Sequence, residues 1–165
     1  DLATQEYEAT RDAVRQYLNA ASREEIIFTS GATASINLVA FSFGEAFVRE
    51  GDEIIVCEAE HHSDIVPWQM LCERKGAVLK VLPVDDGGRI RLGALPALLT
   101  PRTRLLCVAH ISNVLGLVNP IKEIVKICHS AGCPVLVDGS QGIVHERVDV
   151  AGLDCDFYVF SGHKV

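Results

Sequence analysis

Four short apolar runs, each followed at once by polar or ionisable residues, constrain this chain more than any other feature. Ile54-Ile55-Val56-Cys57 leads into Glu60-His61-His62, and Leu105–Ala109 into His110, Ser112 and Asn113. Val135-Leu136-Val137 leads into Asp138-Gly139-Ser140-Gln141, and Phe157–Phe160 into Ser161-Gly162-His163-Lys164. Apolar side chains fill consecutive positions, so a strand built from any of these runs needs cover on both faces. Helical stretches separate the runs. The clearest is predicted from Pro120 to about Ala131, with Asn119 as N-cap and Gly132 just past the end. Its Ile121, Ile124, Val125 and Cys128 fall on one stripe. The pattern predicts an α/β fold, a mostly parallel sheet sandwiched by helices.

The remaining elements are predicted in the same way. A first helix carries Tyr7, Val14 and Leu18 on one face and ends near Asn19. Ile26–Phe28 reads as a strand. Thr29-Ser30-Gly31-Ala32-Thr33 turns into a helix with Ile36, Leu38, Val39 and Phe43. A further helix contains Pro67 in its first turn and stops at Gly76, capped by Ser63 or Asp64. Val78–Leu82 is another strand, Asp85-Asp86-Gly87-Gly88 a turn, and Leu92–Leu99 has helical spacing interrupted by Pro96.

Composition narrows the function classes. The chain has 165 residues, 48% apolar and 22% charged, which suits one globular domain. A net charge of -7 without any lysine or arginine cluster argues against nucleic acid as a partner. No apolar run approaches the roughly 20 residues of a membrane span. The six cysteines form no CxxC pair and mostly sit in apolar stretches. We read them as reduced core thiols, with no zinc or other metal site, in a cytoplasmic or organelle-matrix protein. The sequence opens at Asp1 and closes at Val165, directly after a lysine, so a piece of a longer protein is expected.

In open parallel sheets ligands bind beyond the carboxyl ends of the strands, which is where the polar groups collect. Lys164 follows an apolar strand and a Ser-Gly hinge. Against an apolar wall its amine would lose solvation and favour the neutral nucleophile, as Schiff-base chemistry requires; taken alone it is more readily a surface lysine. Asp138 either caps a turn or faces a buried cation such as a pyridinium nitrogen. Gln141 could donate to a ring oxygen or close the turn. Gly31-Ala32-Thr33 before a helix offers backbone N–H groups to a phosphate, and Ser161 and His163 could add donors. His61 and His62 point in different directions as neighbours, which disfavours a shared metal. A stacking ring and a hydrogen-bonded structural histidine remain equal alternatives.

Together, Glu60-His61-His62-Ser63-Asp64-Ile65-Val66-Pro67-Trp68, Ser112-Asn113-Val114-Leu115-Gly116, Asp138-Gly139-Ser140-Gln141 and Asp154 through Lys164 resemble the SufS/CsdA-type cysteine desulfurases. These belong to the class V aminotransferase group of fold-type I pyridoxal-phosphate (PLP) enzymes. The resemblance runs through essentially the whole chain, in order. It implies a single partial PLP-binding large domain over residues 1–165, with an N-terminal segment and a C-terminal small domain lying outside it. It implies pyridoxal 5'-phosphate held as a Schiff base on Lys164, which also shuttles protons. Asp138 would pair with the ring nitrogen, Gln141 with the ring hydroxyl, and His61 would stack on the ring and assist proton transfer. Ala32, Thr33, Ser161 and His163 would hold the phosphate, and Asn113 would lie near the substrate carboxylate. Ala32 and Ala34 depart from the threonine and glutamate frequent in that phosphate turn.

The activity implied is conversion of L-cysteine to L-alanine, with sulfur passed as an enzyme persulfide to an acceptor protein of iron–sulfur cluster assembly, in a homodimer. The persulfide cysteine and a substrate-binding arginine would lie beyond Val165, so residues 1–165 alone are expected to be inactive. Selenocysteine lyase, aminotransferase and epimerase activities are alternatives within the group. A non-catalytic α/β partner-binding module is the alternative outside it.

Overall fold

In a computed structural model, which describes residues 1–165, the chain forms one five-stranded parallel sheet covered by helices on both faces. The helices are α1 (Leu2–Leu18), α2 (Ala32–Phe47), α3 (Val66–Lys75), α4 (Leu95–Leu98), α5 (Ile121–Ser130), α6 (Gly142–His145) and α7 (Val150–Leu153). The strands are β1 (Glu53–Cys57), β2 (Val78–Leu82), β3 (Thr103–Ala109), β4 (Val135–Asp138) and β5 (Phe157–Val159). Their order across the sheet is β2-β1-β3-β4-β5. The chain therefore steps outward from β1 to β2, returns to the other side of β1, and continues outward to β5. The reversal between β1 and β3 is a topological switch point, where an open parallel sheet leaves a crevice beyond its strand ends.

The two-residue period of each strand divides the core. Ile54, Val56, Leu105, Cys107, Leu136 and Val159 point to one face, under α2 and α3, with Ile36, Trp68 and Leu71. Ile55, Cys57, Leu106, Val108, Val135 and Val137 point to the other, under α4 and α5, with Leu95, Ile121, Ile124 and Cys128. Adjacent side chains face opposite sides of a sheet, and both sides are covered here, so consecutive apolar residues are all buried. All six cysteines are free, five of them buried. No helix is long and apolar enough to cross a membrane.

Several local expectations are corrected. Ile26–Phe28 is extended but joins no strand: Ile26 packs inward against Leu18, Ile143 and Val148, while Ile27 is 67% exposed. β-type residues make a strand only where a neighbouring backbone offers a ladder, and no strand of the sheet pairs with this segment. Neither Ser63 nor Asp64 caps α3. Its N-cap is Ile65, without a side-chain hydrogen bond, and Pro67 lies in the first turn. Asn119 does not cap α5 either; its side-chain amide donates to the Ala109 carbonyl at 2.8 Å, and Pro120 takes the cap position. Leu92–Leu99 divides into a 3-10 turn, Leu92–Ala94, and α4, with Pro96 accommodated at the new start. The left-handed stops at Asn19, Gly76 and Gly132 are where the sequence places them.

Candidate active site

Thirteen residues line a cavity of about 260 Å³ at the carboxyl ends of β1, β3, β4 and β5. All nine residues singled out in the sequence are among them: Ala32, Thr33, His61, Asn113, Asp138, Gln141, Ser161, His163 and Lys164. They come from five separate segments that the sheet topology gathers at the switch point. Ser63, Ala109, Ile111 and Ser140 complete the lining, and no sequence signal marked them as site residues.

Each side chain is held by local structure. Asp138 is the last residue of β4, paired in register with Ala109 on one side and Val159 on the other. It is buried, its Oδ1 accepts the Ser140 N–H at 2.9 Å, and no lysine, arginine or histidine lies within ion-pair distance of it. The next residue must be small. A side chain on Gly139 would place its Cβ 2.1 Å from the Tyr158 ring. Tyr158 in turn meets His110 Nδ1 at 2.9 Å. Burial pushes the Tyr158 phenol up and His110 down, so both stay neutral over the physiological range.

The start of α2 forms one wall. Gly31 adopts φ +143°, a backbone conformation open to glycine, and supplies no side-chain cap. Ser161, from the far end of the chain, provides part of the missing cap, since its Oγ accepts the Ala32 N–H at 2.9 Å. The Thr33 and Ala34 amides, next in the first turn, have no protein acceptor. An anion fits against such unmatched donors.

His61 Nδ1 accepts the Ser63 N–H at 3.1 Å and lies 2.8 Å from the Ser63 hydroxyl. A backbone donor on Nδ1 assigns the proton of the neutral ring to Nε2. The His61 and His62 rings stand 6.2 Å apart in an edge-on arrangement at 74°, and of the two only His61 lines the cavity. No group of histidine, cysteine or acidic residues has the arrangement of a metal site. Asn113 is displayed by the loop between β3 and α5, where the Ser112 hydroxyl accepts the Leu115 N–H at 3.2 Å and Ile111 bridges to Val118.

Lys164 lines the cavity from a short 3-10 turn, Gly162–Lys164, and is solvent-exposed. Gly162, His163 and Val165 beside it are exposed as well. The apolar side chains of β5 point into the two faces of the sheet, not past its end.

Two more acidic side chains stand behind Asp138, and the sequence marked them only as parts of a motif. Glu60 Oε1 accepts the Ala109 N–H at 2.8 Å, and Asp64 Oδ1 accepts the Trp68 indole N–H at 2.9 Å. Desolvation raises both: Glu60 sits well above the usual carboxylate range, with Asp64 and Asp138 adding to the effect, and Asp64 is pushed up to about 8, Asp138 again contributing. The remaining oxygens, Glu60 Oε2 and Asp64 Oδ2, are buried without a partner.

The aminotransferase class-V family model matches residues 1–165. A cysteine desulfurase of Cronobacter sakazakii is 55% identical over 163 residues, which is 99% of this chain and 40% of that protein. The chain thus spans about 40% of the length of the curated relatives it matches. Among solved structures, the cysteine desulfurase CsdA of Escherichia coli superposes with a TM-score of 0.93 at 45% identity, over 98% of this chain and 40% of that one. A variant of C-DES with glycine covalently linked to its PLP cofactor has a TM-score of 0.82 at 26% identity, over 98% of this chain and 44% of the other.

Proposed function

The chain belongs to the class-V aminotransferase family, and from that premise we propose that it forms the cofactor-holding part of a pyridoxal-phosphate-dependent cysteine desulfurase. The observation that carries the reading is convergence. One cavity collects a lysine, a buried acid without a cation, an imidazole and an open helix start, its lining drawn from five separated segments. The 55% identity to a cysteine desulfurase narrows the reaction within the family.

The lining fits the cofactor on its own chemistry. Asp138, buried and without a cationic partner, suits a protonated ring nitrogen. The unmatched amides of Thr33 and Ala34, with Ser161 and His163 nearby, suit a phosphate. When bound, the cofactor supplies an aldehyde carbon and an electron-withdrawing ring.

The chain's own residues then divide the work. Lys164, which lines the cavity, would supply the amine that bonds the aldehyde and would carry protons at Nζ. His61 offers a flat ring for stacking and passes a proton through Nε2, with Ser63 fixing the imidazole orientation. Asp138 holds the ring nitrogen, Gln141 the ring oxygen, and Asn113 the substrate carboxylate. Thr33 would contribute its backbone N–H and hydroxyl to the phosphate, beside Ala32, whose own N–H is held by Ser161.

The sulfur leaves L-cysteine as a persulfide on a protein thiol, giving L-alanine. The chain's own thiols are poorly placed for that step, five of the six being buried. Burial pushes Cys57 and Cys155 up to about 12 and Cys72 to about 11, and raises Cys107 strongly; contact with Cys128 and burial raise Cys133. A thiol kept protonated is a poor nucleophile. The acceptor thiol therefore belongs to a part of the protein outside residues 1–165, where a small domain would stand. An acceptor protein of iron–sulfur assembly, a homodimer and a cytoplasmic or matrix location complete the proposal; the six unpaired thiols are in keeping with a reducing compartment.

Titration of the intact protein with pyridoxal phosphate tests the reading. A visible imine band that is lost in Lys164→Ala, with L-cysteine converted to equimolar alanine by the wild type, is the expected result. No imine band, or transfer of the amino group to a keto acid without alanine formation, would sink it.

A further inference from the structure

Glu60 and Asp64 have no part in the roles above, yet each keeps a buried carboxylate oxygen without a partner. Asp64 is fully buried, and although Glu60 reaches the surface in part, its Oε2 does not. We propose that Glu60 and Asp64 share a single proton, hold one negative charge between them behind Asp138, and so act as positioning residues for the cation that Asp138 faces; this rests on reading the cleft as a pyridoxal-phosphate site.

Hydrogen-bond accounting carries the argument. Each carboxyl receives one donor from the protein, Ala109 N–H on Glu60 Oε1 and Trp68 Nε1–H on Asp64 Oδ1. The two side chains lie at the two ends of one short stretch, Asp64 closing the 3-10 turn His62–Asp64 just after Glu60, and each acts on the other's charge. Each is left with one buried oxygen lacking a partner. Two carboxylates cannot satisfy one another, since neither has a proton to give. One shared proton matches both orphans at once and completes a chain from β3 through Glu60 and Asp64 to the indole on α3. Like charges close together in a dry site do not both ionise.

The surroundings point the same way. The titratable groups acting on the pair are Asp138 at the end of β4 and the thiols Cys107 on β3 and Cys57 on β1, none of them a cation. Ala109, whose N–H Glu60 holds, is the register partner of Asp138. The pair thus fixes the strand beside Asp138 and places a second anion behind it, which strengthens the field on a cation in front.

Glu60→Gln, Asp64→Asn and the double variant of the intact protein test this with two readouts. The first is urea unfolding of the apoprotein against pH. A group that binds a proton more tightly when folded gives stability that is present below the ordinary carboxylate range and lost as pH rises through its folded value. The wild type should lose up to about tenfold in its folding constant per pH unit from roughly pH 5 to 8. Either single variant replaces the shared proton with an amide donor and should remove that slope, and the double should remove no more. The second readout is pyridoxal-phosphate affinity near neutral pH. The single variants keep one buried charge and should bind as the wild type does; the double keeps none and should bind about tenfold more weakly. A slope that survives in the single variants overturns the shared proton. An unchanged affinity in the double variant overturns the positioning role and leaves a purely structural tie. A wild type that binds no pyridoxal phosphate instead defeats the cofactor reading and the positioning role with it, while the slope still decides the proton.

Discussion

The two ends of β1 carry acidic residues under opposite conditions. At the amino end, Asp52 lies 3.0 Å from Arg104, and Glu53 lies 2.8 Å from Lys80 with Thr100 and Thr103 donating to it. At the carboxyl end, Glu60, Asp64 and Asp138 stand together without a cation. The first arrangement cancels charge within the fold. The second leaves it uncancelled, which costs folding free energy, since buried charge without a partner is unfavourable. Such a cost persists where a ligand brings the missing counter-charge. The same strand is thus anchored at one end and poised at the other, as expected of parallel sheets whose ligands bind beyond the carboxyl ends.

Asp138→Asn gives the largest expected effect and tests the poised end. Turnover of L-cysteine by the intact protein should fall about 10²–10³-fold, in line with removal of one well-placed electrostatic group. Its urea midpoint should stay level or rise, because one uncancelled anion is gone. A midpoint that falls in parallel with activity would make Asp138 a fold residue and erase the contrast.

Lys80→Ala tests the anchored end, with the reverse signature. It leaves Glu53, a largely buried carboxylate, with hydroxyl donors alone, and should destabilise by about 1–2 kcal/mol in urea unfolding. The affinity for pyridoxal phosphate should be unchanged. The ends also differ in pH dependence. Arg104 beside Asp52 holds that carboxyl below its ordinary range, and at Glu53 the burial penalty is outweighed by Lys80 and the two threonines, which also leaves it lowered. Lowered carboxyls give stability that is present above their unfolded values and lost as pH falls through the folded ones. Glu60 and Asp64 have the opposite sign, both raised, and their contribution is lost as pH rises, for Asp64 through about 8. Wild-type stability should therefore fall on both sides of a maximum in mildly acidic solution. Lys80→Ala should flatten the acid side alone, as followed by urea midpoints across pH.

The same contrast decides what the sequence could reveal. Apolar runs at the sheet centre were legible because Ile54, Leu105 and Leu136 are buried whatever their neighbours, and the polar groups after each run had one place to go. Topology then gathered all nine named residues into one cavity. Readings that depended on a partner were less secure. Ile26–Phe28 has the composition of a strand and no ladder to join. Asn119 has the chemistry of a cap and bonds to Ala109 instead. The Glu60–Asp64 pair was out of reach for the same reason, although Asp64 and Trp68, four apart with the indole N–H in need of an acceptor, were a signal that the acid turns inward.

Glu45 offers the smallest and sharpest comparison. It sits near the end of α2, on the amino side of the sheet, and meets both Arg74 and Lys75 of α3, at 2.6 and 2.5 Å. By count of ion pairs it outranks Glu53, which has Lys80 alone. Glu45 is exposed, however, and water screens each of its pairs, while holding long side chains in place costs entropy. Lys75 and Arg74 hold its carboxyl below the ordinary range by hydrogen bonding, but a shift at an exposed site transmits little to the folding equilibrium. Glu45→Gln should leave the urea midpoint within experimental scatter of the wild type, and added salt should abolish any difference that remains. If it instead matches Lys80→Ala, the number of pairs and not their burial anchors the amino end, and the contrast between the two ends of β1 has to be recast as one of charge balance alone.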